Sequence, residues 1–378
     1  MPKLPKKLQH RLAQRAQEGT LRTLTRYENL VDFTSNDYLG VATKNWEATR
    51  QNRGSGGSRL LSGNHAYYEL AENQIARYHL AESALIFNSG YDANIGLLSA
   101  ILQRNDLIFY DSLVHASIRD GIALGKARSY RFAHNDLSDL QKTINRVWQP
   151  QKDNTTAVYV ITESVFSMDG DGPDLKTLAE YCKSEGFHLI VDEAHATGIL
   201  GSRGSGGVVA AGIESQVFAR VITFGKALGC HGAAILGRMD LREYLINFSR
   251  SLIYTTALSP DSLQAIMQSY EWLASEQGES ARKRLIQLID EFKRAVKEMG
   301  LQNYFGPSIA AVQAYIPGSV SAVKIRAQVL RDAGYDIRSI LSPTVPEGKE
   351  CLRISLHSFN TEVQIRNVLH ILASYHNT

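Results

Sequence analysis

Residues 157–195 read AVYVITESVFSMDGDGPDLKTLAEYCKSEGFHLIVDEAH, and the fold is decided here. The stretch opens on AVYVIT (157–162) and closes on HLIV (188–191). Both are β-branched runs, too short for helices and bounded by polar or glycine positions, so both predict buried strands. Residues 174–185 between them carry a helical pattern. Strand, helix, strand is the unit from which parallel sheets are built. Working outward, ALIF (84–87), LIFY (107–110) and VITF (221–224) repeat the strand signature, and 90–102 repeats the helical one. The alternation predicts an α/β protein with a mostly parallel sheet covered on both faces.

Beyond about residue 238 the pattern changes. A long helical region occupies 261–299, followed by AVQAYI (311–316), a helix near 319–333, YDIRSI (335–340), LRISLH (352–357) and a last helix from about 361. We therefore expect an N-terminal arm (1–45), a large α/β domain (46–255) and a small C-terminal α+β domain (256–378). In the arm, Leu4, Leu8 and Leu12 recur every four residues and predict a short amphipathic helix rather than a secretory signal or transit peptide.

The chain has 378 residues, 44% of them hydrophobic and 21% charged, which excludes a disordered, collagen-like or coiled-coil protein. Its net charge of +3 does not call for nucleic acid. Cys182, Cys230 and Cys351 are isolated, with no zinc spacing, as expected in a reducing compartment. No apolar run reaches the ~18 residues of a membrane span. Cytoplasm is the expected location.

Ligands of open α/β sheets bind beyond the carboxyl ends of the strands. Asn88, Ser89 and Gly90 follow ALIF; Asp111 and His115 follow LIFY; Glu163 and Ser167 follow AVYVIT. Asp192, Glu193 and His195 follow HLIV, and Gly225 and Lys226 follow VITF. Five strand ends carrying ionisable or hydroxyl groups predict a small-molecule site.

VDEAH (191–195) admits three readings. As the Mg²⁺ motif of a DEAH-type nucleotide-driven motor it needs a phosphate loop. The nearest string, FGKALG (224–229), has Ala227 where a hydroxyl is required. A metal site of Asp192, Glu193 and His195 lacks a further ligand cluster. The third reading sets Asp192 against a cationic ring nitrogen, because a carboxylate at a buried strand end requires a partner. Lys226, led into the interior between glycines, would have a lowered pKa suited to a Schiff base. Such a lysine and such a carboxylate are the minimum equipment for pyridoxal phosphate. Ser89-Gly90-Tyr91, at a helix start after a strand, could receive its phosphate or be a plain helix cap. GSGGSRLLSG (54–63) and GSRGSGG (201–207) lack a nucleotide fingerprint and read as backbone turns. His115 is either structural or stacked on a ring. Arg353 either faces solvent or holds a substrate carboxylate in its planar fork.

Together the strings SNDYLG (35–40), GSGGSRLLSG (54–63), NSGYDAN (88–94), DSLVHASIRDG (111–121), TESVFSMDGDGPDL (162–175), VDEAHATG (191–198), TFGKALGCHGA (223–233), SPTVPEG (342–348) and LRISLH (352–357) resemble the α-oxoamine synthases, in the expected order over nearly the whole chain. These are pyridoxal-phosphate acyltransferases of fold type I, the aspartate-aminotransferase-like architecture. GGSRLLSG, the short arm and RFAHNDLSDL (131–140) are most similar to the biotin-synthesis branch, which condenses L-alanine with pimeloyl-CoA or pimeloyl-ACP. The branches using glycine or serine share the core motifs. Tyr68 stands where relatives often carry His, and Ala196 where many carry Gly.

The resemblance implies roles residue by residue. Lys226 would be the Schiff-base lysine and proton-transfer base, and Asp192 the partner of the ring nitrogen. His195, helped by Ser167, would bind the ring hydroxyl. His115 would stack on one ring face, with Ala194 beneath the other. Ser89, Gly90, Tyr91 and Thr223 would lie at or near the phosphate, and Asn36 and Arg353 would bind the amino-acid carboxylate. Thr255 or Thr256 would reach the phosphate of a neighbouring subunit, implying a homodimer with shared sites.

Overall fold

The computed structural model describes residues 3–376 apart from 23, 45, 47–51 and 149–154. In it the apolar runs become strands of a central sheet. β1 (Val31–Asp32) belongs to the arm. β2 (Ser83–Phe87), β3 (Leu107–Asp111), β4 (Arg128–Phe132), β5 (Val158–Glu163), β6 (His188–Asp192), β7 (Val217–Thr223) and β8 (Ala233–Gly237) form a seven-stranded sheet ordered β2-β8-β7-β6-β5-β3-β4. β8 is antiparallel to both neighbours, and every other pairing is parallel. β2 through β7 therefore run in one direction, and their carboxyl ends share one edge.

Side chains alternate between the two faces, as a two-residue period demands. Ile161 and Ile190 pack with Leu97, Leu98 and Ile118 of the helices on one face. Val160, Leu189 and Val191 pack with Leu140, Ile144 and Leu178 on the other. β2 and β5 are buried at every position, as doubly covered strands must be.

Two strands were not expected from the sequence. β4 (RSYRF) is a largely exposed edge with no apolar run. β8 (AAILG) is dominated by small residues after a glycine-rich turn. The helical region expected over 261–299 consists of two helices, Pro260–Ala274 and Glu276–Glu298. Ser275 between them has extended backbone, and its side chain accepts the Gly278 N–H to start the second helix.

β9 (Val312–Tyr315), β11 (Arg338–Ile340) and β12 (Cys351–Ser355) form an antiparallel sheet with β12 in the middle, and β10 (Tyr335–Asp336) pairs with β1. YDIRSI is thus divided between two sheets, and the arm is stitched to the C-terminal region. The core is continuous: Leu263, Ile266 and Tyr270 of helix Pro260–Ala274 pack in one cluster with Tyr68, Ala71 and Ile75. The arm carries the helix Lys6–Gln17. Leu4, Leu8 and Leu12 on it are 45%, 43% and 51% exposed, so its apolar stripe faces outward in the single chain.

Glu193, the central acid of the DEAH string, serves the fold. Its carboxylate is fully buried and accepts from Arg220 Nε (2.7 Å) and from the Val208 N–H (2.8 Å). Arg220 also donates to the carbonyls of His79 (2.7 Å) and Ser205 (3.1 Å). Gly206, at φ +106°, lets this turn approach: a Cβ there would lie 2.7 Å from the Glu193 carboxylate. Removing one partner of such a pair strands the other charge without water. Arg220→Ala should therefore lower stability by about 3–5 kcal/mol in urea unfolding. A loss below about 1 kcal/mol, the range of exposed pairs, would contradict this role for the pair.

Candidate active site

The shared edge of the sheet concentrates opposite charges. Glu163 and Asp192 end adjacent parallel strands in direct register, and both are buried. Asp192 accepts from the Asn94 side-chain amide (2.8 Å) and from the Ala194 N–H (2.9 Å), both neutral donors. Glu163 accepts the His115 backbone N–H at 2.6 Å. Burial raises the Glu163 pKa well above the ordinary value, and the Asp192 charge beside it acts in the same sense.

Lys226 stands at this edge, on the turn that joins β7 to its antiparallel neighbour β8. The turn is tied by the Phe224 N–H to the Gly232 carbonyl (2.9 Å), the Cys230 N–H to the Phe224 carbonyl (2.8 Å) and the Gly229 N–H to the Lys226 carbonyl (2.8 Å). Gly229 has φ +62°, and a Cβ on it would sit 2.3 Å from the Ala42 backbone, so the arm closes directly over the lysine turn. Desolvation lowers the Lys226 pKa to about 8, against the upward pull of Asp192 and Glu163 and with the downward push of Arg353.

The carboxylate-rich side faces a buried arginine. Arg353 is 8% exposed on the middle strand β12, against the usual outward orientation of a strand arginine. Its guanidinium donates to the Ser167 carbonyl (2.8 Å), Ser355 Oγ (2.8 Å), Asn36 Oδ1 (2.9 Å) and the Thr34 carbonyl (3.4 Å). These partners are all neutral, so the cation is held in place but not neutralised. The Tyr38 hydroxyl lies 3.1 Å from Asn36 Oδ1 and 2.7 Å from His195 Nδ1. His195 is buried, and desolvation aided by Lys226 and Arg353 drives its pKa well below the usual value, leaving a neutral ring. Burial pushes Tyr38 up to about 12.

Ser89 caps the helix Gly90–Ile101, its side chain accepting the Asp92 N–H. Thr223 closes β7 beside Gly90, and its Oγ donates to the Gly232 carbonyl at 3.2 Å. Tyr91 is 44% exposed and hydrogen-bonds Asp120. Asn88 donates to Thr255 Oγ (3.1 Å) and to the Thr256 carbonyl (2.7 Å), so both threonines lie beside the start of this helix within one chain. Tyr68 is buried and its hydroxyl accepts the Leu258 N–H at 2.7 Å, pinning the segment that carries them.

Most residues singled out from the sequence thus lie along one sheet edge, with Arg353 on the small sheet, Asn36 on the arm and Thr255 and Thr256 on the segment beside Asn88. Glu193 points into the fold instead, which removes it from any metal set with Asp192 and His195. Tyr38, Asn94 and Ser117 were not singled out. All three lie inside quoted strings, but only the packing of the arm and helices against the sheet brings them to the charged groups.

The chain belongs to the aminotransferase class I and II family, whose model matches residues 28–372, and within it to the α-oxoamine synthases. Its relatives are more particular. It is 39% identical to 8-amino-7-oxononanoate synthase of Emericella nidulans, with 91% of this chain and 89% of that protein covered. It is 37% identical to the protein of that name from Cellvibrio japonicus, over 92% of this chain and 86% of the relative. Among solved structures, serine palmitoyltransferase of Sphingomonas wittichii superposes with a TM-score of 0.87 at 25% identity, covering 100% of this chain and 98% of that one. The 8-amino-7-oxononanoate synthase of Francisella tularensis superposes with a TM-score of 0.77 at 28% identity, over 93% and 99%. The mostly parallel, helix-covered sheet described above is thus that of fold type I.

The lysine supplies a direct test. A pKa near 8 means that the unprotonated, nucleophilic amine accumulates well below the ordinary 10.5. In protein stripped of bound aldehyde, modification of Lys226 by trinitrobenzenesulfonate, followed by peptide mass mapping, should reach half its limiting rate near pH 8. A midpoint near 10.5 would mean that the side chain is fully solvated.

Proposed function

We propose that this chain binds pyridoxal 5′-phosphate and condenses L-alanine with a pimeloyl thioester, of coenzyme A or acyl carrier protein. The products are 8-amino-7-oxononanoate, CO₂ and the free thiol carrier, a step of biotin synthesis. The observation that carries the reading is the charge layout. A lowered-pKa lysine and two buried carboxylates occupy one side, and a buried arginine lacking an anion occupies the other.

The residues fit the cofactor. Asp192 is a buried carboxylate whose hydrogen bonds come from neutral donors, so a protonated ring nitrogen supplies the cation it lacks. First-turn N–H groups at Gly90 and Tyr91, with Ser89 and Thr223 beside them, suit the phosphate dianion. His195 and Ser167 suit the ring hydroxyl, with His115 and Ala194 on the two ring faces. When bound, pyridoxal phosphate supplies an electron sink for the charge left at the amino acid's Cα.

The protein's own part is positional and acid–base. The Lys226 amine would hold the cofactor aldehyde and, once the amino acid's own amine has displaced it, would be free to take the Cα proton. It is fitted to that exchange by a pKa near the working pH. Asp192 keeps the ring nitrogen protonated. Arg353, aided by Asn36, pairs with the amino-acid carboxylate. His115 lies where it can meet the carbonyl of the incoming thioester.

The enzyme acts as a homodimer in the cytoplasm, with Thr255 or Thr256 of one subunit completing the phosphate site of the other. Leu61 and Tyr254, beside these segments, are 85% and 72% exposed in the single chain, which supports a covering subunit. Among the described residues no helix is long and apolar enough to cross a membrane. Glycine or serine as donor is the second reading, favoured by the palmitoyltransferase likeness. A DEAH-type motor has no support, since Glu193 is committed to Arg220.

Incubating the purified protein with alanine, glycine or serine against a panel of thioesters, with product masses, tests this directly. Alanine with the pimeloyl thioester should give 8-amino-7-oxononanoate, and a product built from glycine or serine would overturn the donor assignment. Lys226→Ala should abolish the borohydride-fixable yellow chromophore and lower turnover by roughly 10²–10⁴-fold or more. Asp192→Asn should bind the cofactor but lose about 10²–10³-fold in turnover.

A further inference from the structure

Behind His115 runs a line of buried hydrogen bonds that the roles above leave unused. Asn94, in the helix Gly90–Ile101, is 2% exposed, and Ser117, in the helix Ala116–Leu124, is 0% exposed. The Asn94 side-chain amide donates to Asp192 Oδ2 at 2.8 Å and to Ser117 Oγ at 3.0 Å. The two bonds take both amide hydrogens. Reversing the amide would aim its oxygen at a carboxylate, so electrostatics fixes its direction. Asn94 Oδ1 is left buried without a partner. That costs stability, and a residue present only for packing would not carry the cost.

Ser117 passes this polarity on. Its hydroxyl oxygen accepts from Asn94, which leaves its own hydrogen for His115 Nδ1, 2.8 Å away. The Ser117 backbone N–H donates to the same nitrogen at 3.2 Å. A ring nitrogen facing two donors is an acceptor, so the proton of the neutral ring resides on Nε2. Glu163, accepting the His115 N–H, fixes the backbone from the other side. Partial desolvation lowers the imidazole pKa and Lys226 adds to the effect, while Asp192 opposes it.

We propose that Asn94 and Ser117 are positioning residues that hold His115 in its Nε2–H tautomer. The ring is thereby a fixed N–H donor to a substrate oxygen and not a base, and its placement is tied to that of Asp192 through one shared amide. This rests on the active-site reading above. A donor meets the thioester carbonyl as negative charge gathers on its oxygen. The opposite tautomer would present a lone pair there and repel it.

The test is nuclear magnetic resonance of the holoenzyme labelled with [¹⁵N]histidine, the His115 signals being those lost in His115→Gln. In the wild type, Nε2 should carry the proton and Nδ1 should be bare. Ser117→Ala and Asn94→Ala should each give a mixed or reversed tautomer, and Ser117→Thr, which keeps the hydroxyl, should retain the wild-type pattern. In the alanine variants kcat should fall about 10- to 100-fold, with the KM for the amino acid changed less than about twofold. If Asn94→Ala does not fold, Ser117→Ala and Ser117→Thr carry the comparison. A protonated Nδ1 in the wild type, or an unchanged tautomer in the folded alanine variants, overturns the proposal. A protein that shows the Nε2–H tautomer yet takes no vitamin B6 aldehyde sinks the proposed function and leaves this assignment standing.

Discussion

Two carboxylates, Glu163 and Asp192, end neighbouring strands side by side and out of water. That juxtaposition is unfavourable by itself, since burial and the Asp192 charge both oppose ionisation of Glu163. It persists because the surroundings are arranged to offset it. Asn94 and two backbone N–H groups donate to the pair, and Lys226 brings a positive charge to the same edge. Across the cleft, Arg353 is the mirror case: a buried cation held by neutral acceptors, with no carboxylate against it among the described residues. Under the proposed function, cofactor and amino acid together would bring a cationic ring to one side and a carboxylate to the other. Binding free energy and catalytic electrostatics then come from the same groups.

The topology explains how so much charge assembles without breaking the core. Six strands pointing one way deliver Asn88, Asp111, Glu163, Asp192 and the Lys226 turn to one edge, while the alternating faces behind them stay apolar. The single reversed strand, β8, returns the chain immediately after Lys226. The arm is the third support: its backbone passes over Gly229, and its Asn36 and Tyr38 link Arg353 to His195.

Much of this was legible in the sequence because two signals agreed. Short apolar runs marked β2, β3, β5, β6 and β7, and the polar residue after each run marked the site. Signals failed where the residue types were not distinctive. β4 is polar because it is an exposed edge, and β8 is built largely of Ala and Gly because neighbouring elements crowd it. The break between the two long helices had no position in the sequence pattern because Ser275, a mild residue there, acts as a cap only in context. Arg353 could not be oriented from its strand, since alternation does not say which face meets the cleft. Asn94, Ser117 and Tyr38 escaped notice for a similar reason: their polar atoms gain importance only from what tertiary packing sets against them. Glu193 sat in the loudest motif yet faces Arg220, so adjacency in the string did not mean a shared purpose.

The turn that carries Lys226 is clamped between β7 and β8 by three main-chain hydrogen bonds, and Arg353 sits mid-strand in its own sheet. Neither anchor rides on a loose lid. Under the proposed function, the amino acid would have to match its two ends to these fixed jaws. Discrimination among amino-acid donors would then be read at the walls around the α-substituent, where a methyl, a hydrogen or a hydroxymethyl must fit without either jaw giving way.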